Sequence, residues 1–208
     1  MPGTQHILVT GGAGFIGSHL ARRLLGRGDR VTALDDFDDF YDPARKRENV
    51  EELRRAPGGE RLALVEGDIR DAALVDQLFE RGRFDAVVHL AARAGVRPSL
   101  REPVLYEDVN CIGTLRLLEA ARRHGPQVFL FGSSSSVYGI NPKVPFSEDD
   151  EVNQPISPYA TTKRAGELLC FNYHHLYGMR TACLRFFTVY GPAQRPEMAI
   201  HKFTDLLF

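Results

Sequence analysis

Short apolar runs and amphipathic stretches alternate along this chain from its first residues to its last. His6–Thr10, Arg30–Leu34, Arg61–Glu66, Phe84–His89, Gln127–Phe131 and Thr181–Leu184 each read as a strand. Gly14–Leu25, Asp71–Arg81, Pro103–His124 and Pro158–Tyr177 carry apolar residues at helical spacing; in the first, Phe15, Ile16, Leu20, Leu24 and Leu25 share one side. Apolar strands joined by amphipathic helices imply βαβ units, a parallel sheet and right-handed crossovers. The predicted fold class is therefore α/β, a doubly wound parallel sheet with helices on both faces. Asp35–Gly59, dense in charge and broken by Pro43 and Pro57, reads as a long surface excursion.

Composition narrows the function classes. The chain has 208 residues, 43% hydrophobic and 25% charged, enough to bury a core without a metal or disulfide staple. Its 26 basic and 27 acidic residues give a net charge of −1, so no basic excess points to nucleic acid. The apolar runs, such as Phe84–Ala92, are too short and interrupted to span a bilayer. Residues 1–20 lack the basic start and apolar core of a signal peptide, which predicts a cytoplasmic protein. Cys111, Cys170 and Cys183 form no CxxC pair and sit in apolar patterns, so buried free thiols are expected and no metal site.

The first strand runs into Gly11-Gly12-Ala13-Gly14-Phe15-Ile16-Gly17. A glycine pattern alone is weak, but this one follows a strand and opens a helix, as a dinucleotide site requires. Gly11 permits the tight turn, Gly14 lets the backbone approach a pyrophosphate, and Gly17 lets the helix pack close to the sheet. The helix N-terminus, at Phe15 and Ile16, offers free N–H groups to the phosphates. Asp35 ends the second strand, where a carboxylate accepts hydrogen bonds from the adenosine ribose. With Asp36, Asp38 and Asp39 behind it, a 2′-phosphate is repelled and NAD is favoured over NADP; Arg45, Lys46 and Arg47 soften that argument if they fold back. Asp68-Ile69 and Leu90-Ala91-Ala92 lie at the carboxyl ends of the third and fourth strands, where an open α/β sheet binds its ligand. Asp68 either meets an adenine edge or caps the next turn.

Tyr159 and Lys163 are i and i+4 on a helix and so face one side. A free tyrosine, with a pKa near 10, is a poor base at neutral pH, and a neighbouring ammonium lowers it. YxxxK alone is weak evidence. The fifth strand, however, runs into Ser133-Ser134-Ser135-Ser136-Val137-Tyr138-Gly139, which puts hydroxyls at a strand's carboxyl end. A serine hydrolase fits poorly, since GxSxG spacing is missing. His89 reads as a packed core histidine, and Arg93, Arg97 and Arg101 as a solvated face.

Together the glycine pattern, the serine run and Tyr159xxxLys163 resemble the extended short-chain dehydrogenase/reductases, over essentially the whole chain. Phe40-Tyr41-Asp42-Pro43, Leu184–Pro192 and Arg195-Pro196-Glu197-Met198-Ala199 resemble the nucleotide-sugar 4-epimerases, those of UDP-glucuronate especially. The resemblance implies a Rossmann domain over residues 1–191 and, at 192–208, the start of a truncated substrate-binding region. A chain that stops on Leu206-Leu207-Phe208 agrees with that expectation. It implies Tyr159 as acid/base on the sugar O4, with Lys163 holding the nicotinamide ribose and tuning Tyr159. Ser134, which lies 25 positions earlier, would assist the proton at O4. Ser135, Ser136 and Arg97 would line the sugar side. It further implies NAD as cofactor, a UDP-sugar as substrate, a transient 4-keto intermediate, and a homodimer at full length.

Two departures sharpen the reading. The 4,6-dehydratases carry Asp-Glu where this chain has Ser135-Ser136, and the decarboxylases a glutamate at Ser136. Galactose-type epimerases usually have asparagine at the place of Thr188. Thr188 with Arg195 suits a carboxylated sugar, although Arg195 pairs equally well with a diphosphate. The expected function is 4-epimerisation of UDP-glucuronate or UDP-glucose. The rivals are a sugar-nucleotide dehydratase or decarboxylase, and a truncated NAD-binding protein without activity.

Overall fold

The computed structural model describes residues 4–207. Residues 1–3 and Phe208 lie outside the described residues, together with the readings that touch them. Six strands form one sheet: β1 (His6–Thr10), β2 (Arg30–Asp35), β3 (Leu62–Glu66), β4 (Ala86–His89), β5 (Val128–Ser134) and β6 (Thr181–Phe186). Their order is β3-β2-β1-β4-β5-β6, and every pairing is parallel. The order reverses between β1 and β4, so a crevice opens there at the strands' carboxyl ends.

The helices are α1 (Phe15–Arg27), α2 (Pro43–Arg55), α3 (Ala72–Gly82), α4 (Val96–Ser99), α5 (Pro103–Glu107), α6 (Gly113–His124), α7 (Pro158–Tyr177) and α8 (Ala199–Leu207). Side chains alternate across each strand, so β1 feeds two cores. Leu8 joins Phe79, Leu117, Phe129 and Phe131 on the face covered by α3, α6 and α7. Ile7 and Val9 join Ala21, Leu25, Val31 and Leu53 on the face covered by α1 and α2. The doubly wound sheet expected from the sequence is the observed fold.

Two expectations are corrected. Asp35–Gly59 is not a surface excursion, since it contains α2. Asp42 caps that helix by accepting from the Ala44 amide at 2.9 Å, and Pro43 occupies the first turn. Its inner face includes Lys46 and Asn49 as well as Val50 and Leu53, so the apolar period is too sparse to show in the sequence. The helix expected over Pro103–His124 is interrupted by a π turn, Asp108–Ile112, between α5 and α6.

His89 is the satisfied core histidine expected, with ring nitrogens 2.7 Å from the Thr10 hydroxyl and 2.9 Å from that of Thr114. Burial, with the Lys163 charge behind it, drives its pKa down to about 3. All three cysteines are free thiols, with Cys170 buried. Among the described residues no helix is long and apolar enough to cross a membrane.

Candidate active site

The glycine turn is built by close approach. Gly11 has φ +67°, and a Cβ there would stand 2.8 Å from the Ala91 amide nitrogen; at Gly17 it would stand 2.1 Å from the Gly11 carbonyl oxygen. Neither position admits a side chain. α1 begins at Phe15 with no side chain capping it and no acid in its first turn. Its leading amides are left for an anion, at the positive end of the helix dipole. An anionic dinucleotide fits this cradle.

These amides open into a cleft of about 420 Å³ at the switch point. Gly11, Gly14, Phe15, Ile16 and Gly17 form one wall, with Asp35 and Ile69 at one end. Leu90, Ala91 and Ala92 form the floor; Ser134, Ser135, Ser136, Tyr159, Lys163, Thr188 and Arg195 gather at the other end. Two expected residues fall outside the lining. Asp68 is held by the Arg70 guanidinium at 2.6 Å and by the Arg70 amide at 2.7 Å, so it serves its own turn. Arg97 is exposed on α4.

Asp35 is already engaged. Only 4% exposed, it accepts from the amides of Ala13 and Phe37, each at 3.0 Å, and from the Lys46 ammonium at 3.3 Å. It ties the glycine turn to the loop after β2. Lys46, which the sequence offered with Arg45 and Arg47 as a cation able to fold back, is buried on α2 against Asp35 and faces the Tyr41 ring at 5.4 Å.

At the other end, Ser157 caps α7 by accepting from the Ala160 amide at 3.1 Å. Tyr159 and Lys163 then project one turn apart into the cleft. Lys163 donates to the Gly132 carbonyl at 2.7 Å and lies 5.0 Å from the Phe131 ring centre. Burial lowers its pKa to about 8. Burial raises that of Tyr159, and the Ser134 hydroxyl and the Arg195 charge pull it partly back.

Several residues beneath the cleft escaped the sequence reading. Glu167, two turns beyond Tyr159, accepts from Ser133 at 2.6 Å, from Arg185 at 2.9 and 3.1 Å, and from Arg164 at 3.0 Å. Burial pushes its carboxyl up, but the Arg185 and Ser133 hydrogen bonds outweigh this and hold it below the usual range. Asn110, in the π turn, donates to the Arg93 carbonyl and to the Thr162 hydroxyl, both at 3.0 Å, and accepts from the Arg93 amide at 2.8 Å. Tyr106 donates to the Ala94 carbonyl at 2.6 Å and sets its ring edge-on to Tyr159, centres 6.3 Å apart. Ser133 and Arg185 lay in motifs already quoted; Glu167, Asn110 and Tyr106 join them only through tertiary contact.

A family model described as GDP-mannose 4,6 dehydratase matches residues 8–207. The chain belongs to this family. It is 50% identical over 203 residues to "UDP-glucuronate 4-epimerase 3" of Arabidopsis thaliana, an alignment covering 97% of this chain and 46% of that relative. The chain thus spans about half the length of the curated relatives it matches. Among solved structures it resembles the UDP-glucuronic acid 4-epimerase of Bacillus cereus in complex with UDP-glucuronic acid and NAD, with a TM-score of 0.86 and 39% identity over 97% of this chain and 62% of that one. A dTDP-glucose 4,6-dehydratase of Streptomyces venezuelae with NAD bound matches with a TM-score of 0.86 and 37% identity, again over 97% and 62%.

Proposed function

We propose that this chain forms the NAD-binding and catalytic part of a UDP-sugar 4-epimerase, with UDP-glucuronate ahead of UDP-glucose as substrate. One observation carries the reading. Ser134, Tyr159 and Lys163 share one cleft with the glycine cradle, and the two positions after Ser134 that line it, Ser135 and Ser136, carry hydroxyls rather than carboxylates. The acids of the lining, Asp35, Asp36 and Asp38, come from the end of β2 and the loop after it, and Asp38 is paired with Arg93.

NAD, when bound, supplies a reversible hydride acceptor for a sugar carbon. Gly11, Gly14 and Gly17 would let its phosphates approach the backbone, Asp35 with Lys46 would hold its adenosine ribose, and Lys163 would hold its nicotinamide ribose. Tyr159 takes the O4 proton and returns it, while Ser134 holds the proton's path. Elimination from the sugar ring needs a further carboxylate, which Ser135 and Ser136 do not supply. The B. cereus likeness and the Arabidopsis relative support glucuronate, as do Thr188 and Arg195 beside Tyr159.

The division into a nucleotide-binding unit over 1–191 and the beginning of a substrate-binding region over 192–208 belongs to this proposal. So do a cytoplasmic setting, consistent with free thiols, and a homodimer. For the dimer, the outer side of α7 offers exposed Leu168, Phe171 and Leu176. The family model's description favours a 4,6-dehydratase as the second reading. Incubation with UDP-glucuronate and with UDP-glucose, each product identified by NMR, decides between them. A C4 epimer is expected; a 4-keto-6-deoxy sugar would replace the epimerase with the dehydratase.

A further inference from the structure

Arg93 follows the cofactor-facing Leu90-Ala91-Ala92 and reads in the sequence as part of a solvated face. The structure contradicts that. Its side chain is only 13% exposed, it lines the cleft, and its Nε is buried with no hydrogen-bond partner. The Asn110 side chain grips its backbone on both the amide and the carbonyl. The guanidinium itself is paired with Asp38, with Glu102 at 3.6 Å. Both acids are more exposed than the arginine.

Arg93 is not alone. Its guanidinium carbon lies 5.5 Å from the centre of the Phe40 ring, and that of Arg195 lies 5.8 Å from the same ring. One phenyl group thus carries two cations inside one cleft, on the side of Tyr106 and Tyr159. Both arginines act to lower the pKa of Tyr106, which burial otherwise raises. Two guanidiniums in a partly desolvated space repel one another unless an anion joins them. The loop acid Asp38 meets part of that need for Arg93, and Glu197, at 3.1 Å, for Arg195. Both are local carboxylates on flanking loops that a stronger, bidentate anion can displace.

We propose that Arg93 is a specificity-determining residue, which exchanges Asp38 for an anionic group of the bound sugar nucleotide and clamps it together with Arg195 across Phe40. The anion is either the sugar carboxylate or the diphosphate, since both present paired oxygens. This rests on the reading of the cleft as a nucleotide-sugar site. It adds a residue from the β4 loop to the substrate side and makes Asp38 a competitor for the site.

The test is calorimetry on the NAD-loaded protein, with UDP-glucuronate and UDP-glucose titrated separately into wild type, Arg93→Gln, Arg93→Lys and Asp38→Asn. Product formation is followed in parallel. Removing a charge-assisted contact should weaken binding by roughly tenfold to a hundredfold in Arg93→Gln. Arg93→Lys should recover part of the loss by keeping the charge. Asp38→Asn should strengthen binding, because it removes the competitor. A loss confined to UDP-glucuronate identifies the carboxylate, and an equal loss for both sugars identifies the diphosphate. If Arg93 only latches the β2 loop, Arg93→Gln and Asp38→Asn will weaken binding alike, and the proposal is overturned. Unchanged affinity in Arg93→Gln overturns it too. Wild type that binds a UDP-sugar but forms no epimer refutes the epimerase reading and leaves Arg93 standing. Wild type that binds neither sugar overturns the Arg93 clamp, whereas the epimerase reading, made for a chain that spans about half the length of its relatives, is tested by turnover.

Discussion

At the level of single residues, charges are placed by burial more than by sequence neighbours. Asp35 stood out in the sequence because it ends a strand about twenty positions after the glycines. Its partner Lys46 stood only beside Arg45 and Arg47 as a cation able to fold back, because nothing in a charged stretch marks one of the three for burial. Their pairing sets a test of cofactor choice. Asp35→Asn keeps the shape but frees the Lys46 ammonium, now 3.3 Å away, to meet a 2′-phosphate. Titrating NAD and NADP should show their affinity ratio moving toward NADP by about tenfold, worth about 1.4 kcal/mol; an unchanged ratio would refute the role given to the pair. Lys163 gives a second test. Its pKa of about 8 lies below the unfolded value near 10.4. Between these two, the unfolded chain holds more protons than the folded one, so stability must rise with pH across that window. Below it, both states are protonated and the cost of burying the charge is felt in full. NAD-free protein should gain thermal stability from pH 8 toward 10, and Lys163→Met should flatten that rise.

Elements were legible where their period was strong. The strands and α1, α3 and α7 repeat apolar residues at spacings that only one structure satisfies, and they fall close to the predicted bounds. α2 was invisible because half its buried face is polar; Asn49 earns its burial by donating to the Ala13 carbonyl at 2.9 Å. The π turn at Asp108–Ile112 was invisible for another reason. One extra residue in a turn shifts the period too little to detect, yet it rotates Asn110 inward. There Asn110 joins the β4 loop to α7, fastening Arg93 to Thr162. Asn110→Ala would strand the Arg93 amide and carbonyl and take one donor from the Thr162 hydroxyl, which still donates to the Tyr159 carbonyl, at a cost of about 1–3 kcal/mol. Calorimetric melting should fall by roughly 2–4 °C for each kcal/mol lost. Because the same contacts fasten α7, to which the proposed function assigns Tyr159 and Lys163, turnover should fall more than NAD affinity does. A variant that melts normally and works normally would remove Asn110 from the scaffold of the site.

For the whole molecule, the alternation of strands and helices was enough to predict the doubly wound sheet, because parallel pairing and right-handed crossovers leave few other arrangements. The ligand crevice follows from that order alone. What the alternation does not encode is contact between distant loops. Asp38, Phe40, Arg93 and Arg195 converge from three connections, and only the folded chain brings them to one cleft. The last helix shows the same limit from the other side. α8 buries none of its residues; Phe203, Leu206 and Leu207 are all strongly exposed. An apolar surface of this kind, left in water, finds another apolar surface. The 208-residue chain should therefore self-associate with rising concentration in sedimentation velocity. Phe203→Ser with Leu206→Ser should lower that association without lowering the melting temperature, since neither side chain contributes to a core. The proposed dimer face on α7 makes the contrast: Phe171→Ser with Leu176→Ser should remove a defined dimer rather than open-ended association. If the α8 pair leaves association intact while the α7 pair abolishes it, then α8 is not the adhesive surface, and the molecule's contacts with itself run through α7.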